Sequence, residues 1–296
     1  MSFATGLKTI VVATDLDGRS DAALEYVRKL ATAYGARIVL AHGLDPLDYA
    51  AVDAVPGGVR KGLSEEARAA LDKLASDLLR EGIHSHSEIR QGAVAQMLVD
   101  VARQYGAGLI VIGTKGMEGA GPVIVGAIAE QLVRLSPCPV LAVAADWNAG
   151  PNRPVPGGLV LLAIERNEAA QSAFATAQSL AEVFDRPLVV VHAREAAESS
   201  SPEAATLEEW GVRPSGKCPL RFEVRNGNSV DVIVDAIAQN HPSMLVAGVK
   251  RTSGTPGPHG TVFALLARSR VPVLCVPPEP ESARAEFEAC TTMEAK

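Results

Sequence analysis

The feature that most constrains this chain is that it repeats itself. An apolar run, Thr9 to Ala13 (TIVVA), leads into the turn sequence Thr14-Asp15-Leu16-Asp17-Gly18. An amphipathic stretch from about Ser20 to Tyr34 follows, then a second apolar run, Arg37 to His42 (RIVLAH). Adding 150 to each number reaches Val160 to Ala163 (VLLA), a helical stretch from Gln171 to Val183, and Pro187 to His192 (PLVVVH). Ala13 then falls on Ala163, Asp15 on Glu165, Ala31 on Ala181 and His42 on His192, without a gap. Downstream the offset changes and the repetition continues. EIRQG at 88–92 matches EVRNG at 223–227, Asp100 matches Asp235, and LIVIGTK at 109–115 matches MLVAGVK at 244–250. A segment of this size copied once is a duplicated domain, not an array of short repeats.

Each copy reads strand, helix, strand, long connection, strand, helix, strand, glycine loop, helix, strand. Short β-branched runs stopped by glycine or turn residues mark strands buried on both faces. Between the first two, Ala22, Ala23, Tyr26, Val27 and Leu30 share one helix face, and Gly35 stops that helix. Strands alternating with helices predict an α/β fold with a parallel sheet covered on both sides. At 296 residues, 47% hydrophobic and 4% aromatic, the chain has room for two such cores. The expected division is 1–146 for a first domain, 147–157 for a Pro- and Gly-rich linker, 158–278 for a second domain and 279–296 for a charged tail. The last apolar run of each copy, VLAV at 140–143 and VLCV at 273–276, reads as an edge strand that needs covering.

The chemistry concentrates between Leu109 and Val143. Leu109 to Ile112 reads as a strand, and glycines follow at 113, 116, 119, 121 and 126. A helix is predicted from about Pro122 to Leu135, ended by Ser136-Pro137. Glycines between a strand and a helix let backbone amides approach an anion closely, and the unpaired N–H groups of the helix start point toward it. A tight turn between two buried elements accounts for the same glycines. The two common phosphate motifs are not spelled out: the turn TDLDG after the first strand carries two acids where a dinucleotide fold wants G-x-G-x-x-G, and neither glycine loop contains G-x-x-x-x-G-K-[ST].

A formal charge of −6 gives no general attraction to nucleic acid or anionic lipid. Cys138, Cys218, Cys275 and Cys290 form no Cys-x-x-Cys pair, which speaks against a disulfide framework or a zinc site. There is no basic-then-apolar leader and no apolar run of about 18 residues. A cytoplasmic protein without membrane or nucleic-acid partners is expected.

With these residues in view, the chain resembles the universal stress protein family in its tandem two-domain form, over about 7–145 and 158–277. The family pattern G-x2-G-x9-G-[ST], followed by a helix and a Cys-Pro-Val strand, reads here Gly113-Thr114-Lys115-Gly116, nine residues, Gly126-Ala127, then Cys138-Pro139-Val140. Ala127 replaces the hydroxyl residue. The resemblance implies two tandem Rossmann-like domains of the adenine nucleotide alpha hydrolase-like type, each a five-stranded parallel sheet of order 3-2-1-4-5. It also implies an ATP-class site in the first, formed by Ala13, Thr14, Asp15, Val39, Ile112, Gly113, Lys115, Gly116, Gly126, Ala127 and Ile128. Asp15 matches the acid that lies near the nucleoside in ATP-binding members, and Val39 falls where an apolar residue touches adenine. A carboxylate at Asp15 suits ribose hydroxyls, or a magnesium ion carried in with the phosphates; no dedicated protein metal site is expected. Relatives pair their last strands across a dimer, which implies an intramolecular pseudo-dimer of the two domains here and leaves another surface for a homodimer. Glu118 and the missing hydroxyl at Ala127 weaken the site.

The second copy departs further. Glu165 replaces Asp15, Ile164 replaces Thr14, and Gly248-Val249-Lys250-Arg251 lacks the pattern's second glycine. Pro256 and Pro258 delete amides from its loop. The reading is a degenerate copy kept for packing. His84 and His86 on one strand face, and the repeated His42 and His192, are expected to be structural. No catalytic set is spelled out, so activity beyond slow ATP hydrolysis is not expected. Two functional readings follow: a nucleotide-responsive stress protein, or a nucleotide-free interaction and dimerisation module of the same family.

Overall fold

The computed structural model describes residues 6–16, 18, 20–44, 58–114, 126–147, 157–194, 207, 212, 218–250 and 260–279, without the side chains of 58–64. In the first half the strands are β1 (Thr9–Ala13), β2 (Arg37–Leu44), β3 (Ser85–Gln91), β4 (Leu109–Thr114) and β5 (Val140–Ala144). Its helices are α1 (Asp21–Tyr34), α2 (Gly58–Arg80), α3 (Val94–Tyr105) and α4 (Ala127–Leu135). The second half has β6 (Val160–Ala163), β7 (Leu188–Arg194), β8 (Leu220–Asn226), β9 (Met244–Gly248) and β10 (Val273–Val276), with α5 (Ala170–Val183), α6 (Ser229–Asn240) and α7 (Thr261–Arg268).

These strands form one sheet in the order β3-β2-β1-β4-β5-β10-β9-β6-β7-β8. Each half is parallel and runs 3-2-1-4-5, as expected. The halves meet where β10 pairs antiparallel with β5, setting Leu274 opposite Leu141 and Cys275 opposite Val140. The strands that would otherwise have been bare edges therefore cover each other. The outer edges are β3 and β8, whose sequences SHSEIRQ and LRFEVRN interleave charge with apolar residues.

Period-2 alternation divides the strand residues between two cores. Ile10, Val12, Ile38 and Leu40 face α1, α2 and α5, while Val11, Val39, Ile110 and Ile112 face α3, α4, α6 and α7. Each core runs through the β5–β10 seam into the other half. On the first face the seam has specific polar contacts. The fully buried Tyr26 hydroxyl of α1 donates to the Ser243 carbonyl at 3.0 Å, and Trp147 packs edge-on against Tyr26 at 5.2 Å while its indole N–H donates to the Ala22 carbonyl. Burial pushes the phenol of Tyr34, also on α1, up to about 12.

One expectation needs correction. The helix after the glycine loop begins at Ala127, not near Pro122, because Gly126 is extended (φ −60°, ψ 144°) and serves as its N-cap. Within α2, Ala67 and Leu71 are buried, Leu71 in the core with α1 and the sheet. Most of the linker, the glycine loop from 115 to 125, the loop from 251 to 259 and the tail past 279 lie outside the described residues.

Candidate functional site

In an open parallel sheet, ligands settle beyond the carboxyl ends of the strands where chain order reverses. In the first half that point lies between β1 and β4, which pair with Val12 opposite Val111. The register brings Ala13, Thr14 and Asp15 beside Ile112, Gly113 and Thr114, with β2 on the other flank of β1. Of the expected site residues, Thr14 is nearly buried, Ala13 and Gly113 are half-buried, and Asp15 is exposed. At the start of α4, Gly126, Ala127 and Ile128 are exposed, Ile128 at 47%. A Cβ added at Gly126 would meet nothing within 4 Å, so no described neighbour requires the glycine for packing. Lacking a side chain, Gly126 gives the first amides of α4 no side-chain cap.

Val39 is not brought to this place. It sits in mid-strand opposite Val11 and His86 with no exposed surface, and Ile112 retains only 4%. At the mouth, β2 presents His42 and Gly43 instead. Lys115 and Gly116, with Asp17 and Glu118, lie outside the described residues.

The turn after β1 is held from several directions. The Thr14 N–H donates to the Ala41 carbonyl at 2.9 Å, and His42 Nδ1 lies 2.8 Å from the Thr14 carbonyl. A carbonyl only accepts, so Nδ1 carries the proton. Leu16 adopts a left-handed conformation (φ 62°), with its N–H on Thr14 Oγ1 at 3.3 Å. Ser20, 6% exposed, gives its hydroxyl to Asp15 Oδ1 at 2.8 Å, and its amide reaches the same oxygen at 3.2 Å. Ser20 Oγ lies 3.2 Å from Thr14 Oγ1 and also receives the Asp15 N–H at 3.3 Å. Thr14, Asp15 and Ser20 thus form one hydrogen-bonded unit at the switch point. Sequence reasoning found the first two and missed Ser20, although the offset of 150 that pairs Asp15 with Glu165 sets Ser20 against Ala170.

The equivalent place in the second half keeps the frame and loses the chemistry. The Ile164 N–H donates to the Val191 carbonyl, and His192 Nδ1 lies 3.1 Å from the Ile164 carbonyl. Both histidines are therefore tethers to the turn after the first strand. Ile164, Glu165 and Ala170 stand where Thr14, Asp15 and Ser20 do, and Glu165 pairs with Lys250. Beneath them is a cavity of about 50 Å³, lined among others by Ile164, Ala170, His192, Ser229, Gly248 and Thr261.

Elsewhere, His86 lies 3.5 Å from Glu88 and tilts over Tyr105, and among the described residues no three His, Cys, Asp or Glu gather as metal ligands. Burial pushes the Cys138 and Cys275 thiols up, to about 11 and about 12, so both stay protonated at neutral pH. No described helix is long and apolar enough to cross a membrane.

Comparison with known proteins fits this geometry. The family model described as the universal stress protein family matches residues 6–144. Universal stress protein A homolog 2 of Coxiella burnetii is 31% identical over 141 residues, and the alignment covers 94% of that protein and 46% of this chain. The chain belongs to the universal stress protein family. A universal stress protein of Mycolicibacterium smegmatis is 31% identical over 193 residues, covering 62% of this chain; the match spans only 63% of that relative's length. Among solved structures, a universal stress protein from Archaeoglobus fulgidus superposes with a TM-score of 0.74 at 16% identity, over 91% of this chain and 98% of that one. One from Pseudomonas aeruginosa gives 0.66 at 18% identity, over 98% and 100%. At such identities the likeness speaks for the fold alone, and it extends across both halves.

Proposed function

We propose that this universal stress protein binds an adenine nucleotide, ATP in the first instance, in its first half and acts as a nucleotide-responsive regulator in the cytoplasm. The second half is a second domain of the same family that takes no nucleotide. One observation carries the reading: the hydrogen-bonded Thr14–Asp15–Ser20 unit sits at the switch point of the first half, and Ile164, Glu165 and Ala170 stand in its place in the second, although α4 and α7 both begin after an exposed glycine that gives no side-chain cap. An oriented carboxylate accepts ribose hydroxyls or holds magnesium against the phosphates, and free helix amides receive the phosphate oxygens. The second half offers apolar side chains and an internally paired acid instead.

A nucleotide bound there biases whichever conformation binds it more tightly, and a partner or a second copy reads the result. No described side chain is poised to position an attacking water, so hydrolysis is at most slow. The test is calorimetric titration with magnesium-ATP. One site per chain is expected, unaffected by Glu165→Gln and lost in Asp15→Ala. No binding to the wild type at millimolar ATP would leave the nucleotide-free interaction module.

A further inference from the structure

We infer that Ser20 is a positioning residue that fixes the Asp15 carboxylate for ligand; the inference rests on the nucleotide reading above and adds a member to that site. Ser20 occupies the N-cap of α1, where a serine hydroxyl ordinarily accepts an amide of the first helical turn. Here it makes no such bond. Its backbone is in the right-handed helical region (φ −87°, ψ −5°) rather than the extended one typical of a capping serine, and this swings Oγ back over the preceding turn.

There Oγ has one proton and three neighbours: Asp15 Oδ1 at 2.8 Å, Thr14 Oγ1 at 3.2 Å and the Asp15 amide at 3.3 Å. A carboxylate only accepts, so the proton goes to Oδ1 and the Thr14 hydroxyl turns to donate to Ser20. The Ser20 amide meets the same carboxylate oxygen at 3.2 Å. Two donors from one buried residue thus hold one oxygen of an exposed acid, and helix α1 forgoes its cap to keep that arrangement. In the other half the cap position passes to Ala169, Ala170 replaces the serine, and Glu165 turns to Lys250 instead. The serine and the ligand-facing acid are present together or replaced together.

Crystallography and a double-mutant cycle test this. In nucleotide-free Ser20→Ala the Asp15 carboxylate should leave its wild-type place, and in Ser20→Thr it should stay; a carboxylate unmoved in Ser20→Ala overturns the inference whether or not ATP binds. Calorimetry with magnesium-ATP should show Ser20→Ala weakening binding by about tenfold, the scale of one hydrogen bond to a charged group, and Ser20→Thr restoring it. In an Asp15→Asn background Ser20→Ala should add nothing further. Losses that simply add would make Ser20 a support of the helix rather than of the acid. Wild type that binds no ATP sinks the nucleotide reading alone, and the crystal arm still decides the role of Ser20.

Discussion

The two clefts share a backbone frame and differ in what they offer a ligand. In both, an amide after the first strand bonds the second strand, and a histidine ring returns to a carbonyl of the turn, His42 to Thr14 and His192 to Ile164. On that frame one half places Thr14, Asp15 and Ser20, and the other Ile164, a paired Glu165 and Ala170. Strand pairing and the histidine tether tolerate the exchange because neither uses those side chains. The backbone frame of the turn is therefore the same in both halves while the side chains set on it differ.

The sharpest question is whether the halves can be told apart energetically, since both cores run through the seam. Leu274 has no exposed surface and faces Leu141 across that seam. Leu274→Ala should cost about 2–5 kcal/mol by transfer and cavity effects. Urea unfolding should still show one transition, shifted for probes in both halves. Two separate transitions would break the picture of a shared core.

Next comes exchange of the two clefts' chemistry. Thr14→Ile, Asp15→Glu and Ser20→Ala together give the first half the second half's side chains at those positions. At a ligand concentration 100 times Kd, the wild type should gain about 2.7 kcal/mol of stability from ATP, and the triple variant close to none. Thermal unfolding with and without nucleotide measures both. The reverse exchange, Ile164→Thr, Glu165→Asp and Ala170→Ser, should not create a second site, because Pro256 and Pro258 still withhold two amides from that loop.

How much of this could be read from the sequence follows from what each feature depends on. Runs such as TIVVA and LIVIG announce buried strands through composition alone, and the repeat fixes the order of elements along the chain, so the parallel character of each half of the sheet is legible. Resemblance names a residue of β2 but not which end of that strand reaches the mouth; register places Val39 in mid-strand opposite Val11, with His42 and Gly43 further along. Ser20 was missed because a serine ahead of Asp-Ala-Ala reads as an ordinary cap, and its diversion to Asp15 depends on one ψ angle. The start of α4 was set too early because a proline suits a first turn, whereas the extended backbone of Gly126 decides it.

A smaller effect separates the outer edges. On β3, burial alone would raise Glu88, but hydrogen bonds from Tyr105 and Arg90 outweigh it and hold the carboxyl below its ordinary value. On β8, Glu223 has Arg221 and Arg225, and Asn240 takes the place of Tyr105. A carboxyl lowered in the folded state contributes stability above its unfolded pKa, and that contribution is lost as pH falls through the lower, folded value. Tyr105→Phe should therefore cost on the order of 1 kcal/mol at neutral pH, with the gap to wild type closing in acid. Urea midpoints across a pH series measure it. A gap that is constant with pH would detach Tyr105 from Glu88.

The smallest expected difference lies at the rim. Gly43, one residue before the end of β2, lies beneath α3, and a Cβ there would come to 3.0 Å from both Met97 Cε and Val94 Cγ2. The offset of 150 sets Ala193 at the same place in the second half, and the offset of 135 sets Ser229 where the first half has Val94; both line the small cavity. The second half therefore carries the extra methyl because the residue above it is smaller. Both clashing atoms are side-chain ends, so Gly43→Ala should cost less than about 1 kcal/mol, below the usual penalty of an overpacked core. Val94→Ser added to Gly43→Ala removes one of the two contacts and should lower the penalty attributable to the alanine. A coupling of that sign in a urea double-mutant cycle would show that the rims of the two clefts differ by one compensated exchange. Simple additivity would mean that Met97 alone sets the limit at Gly43.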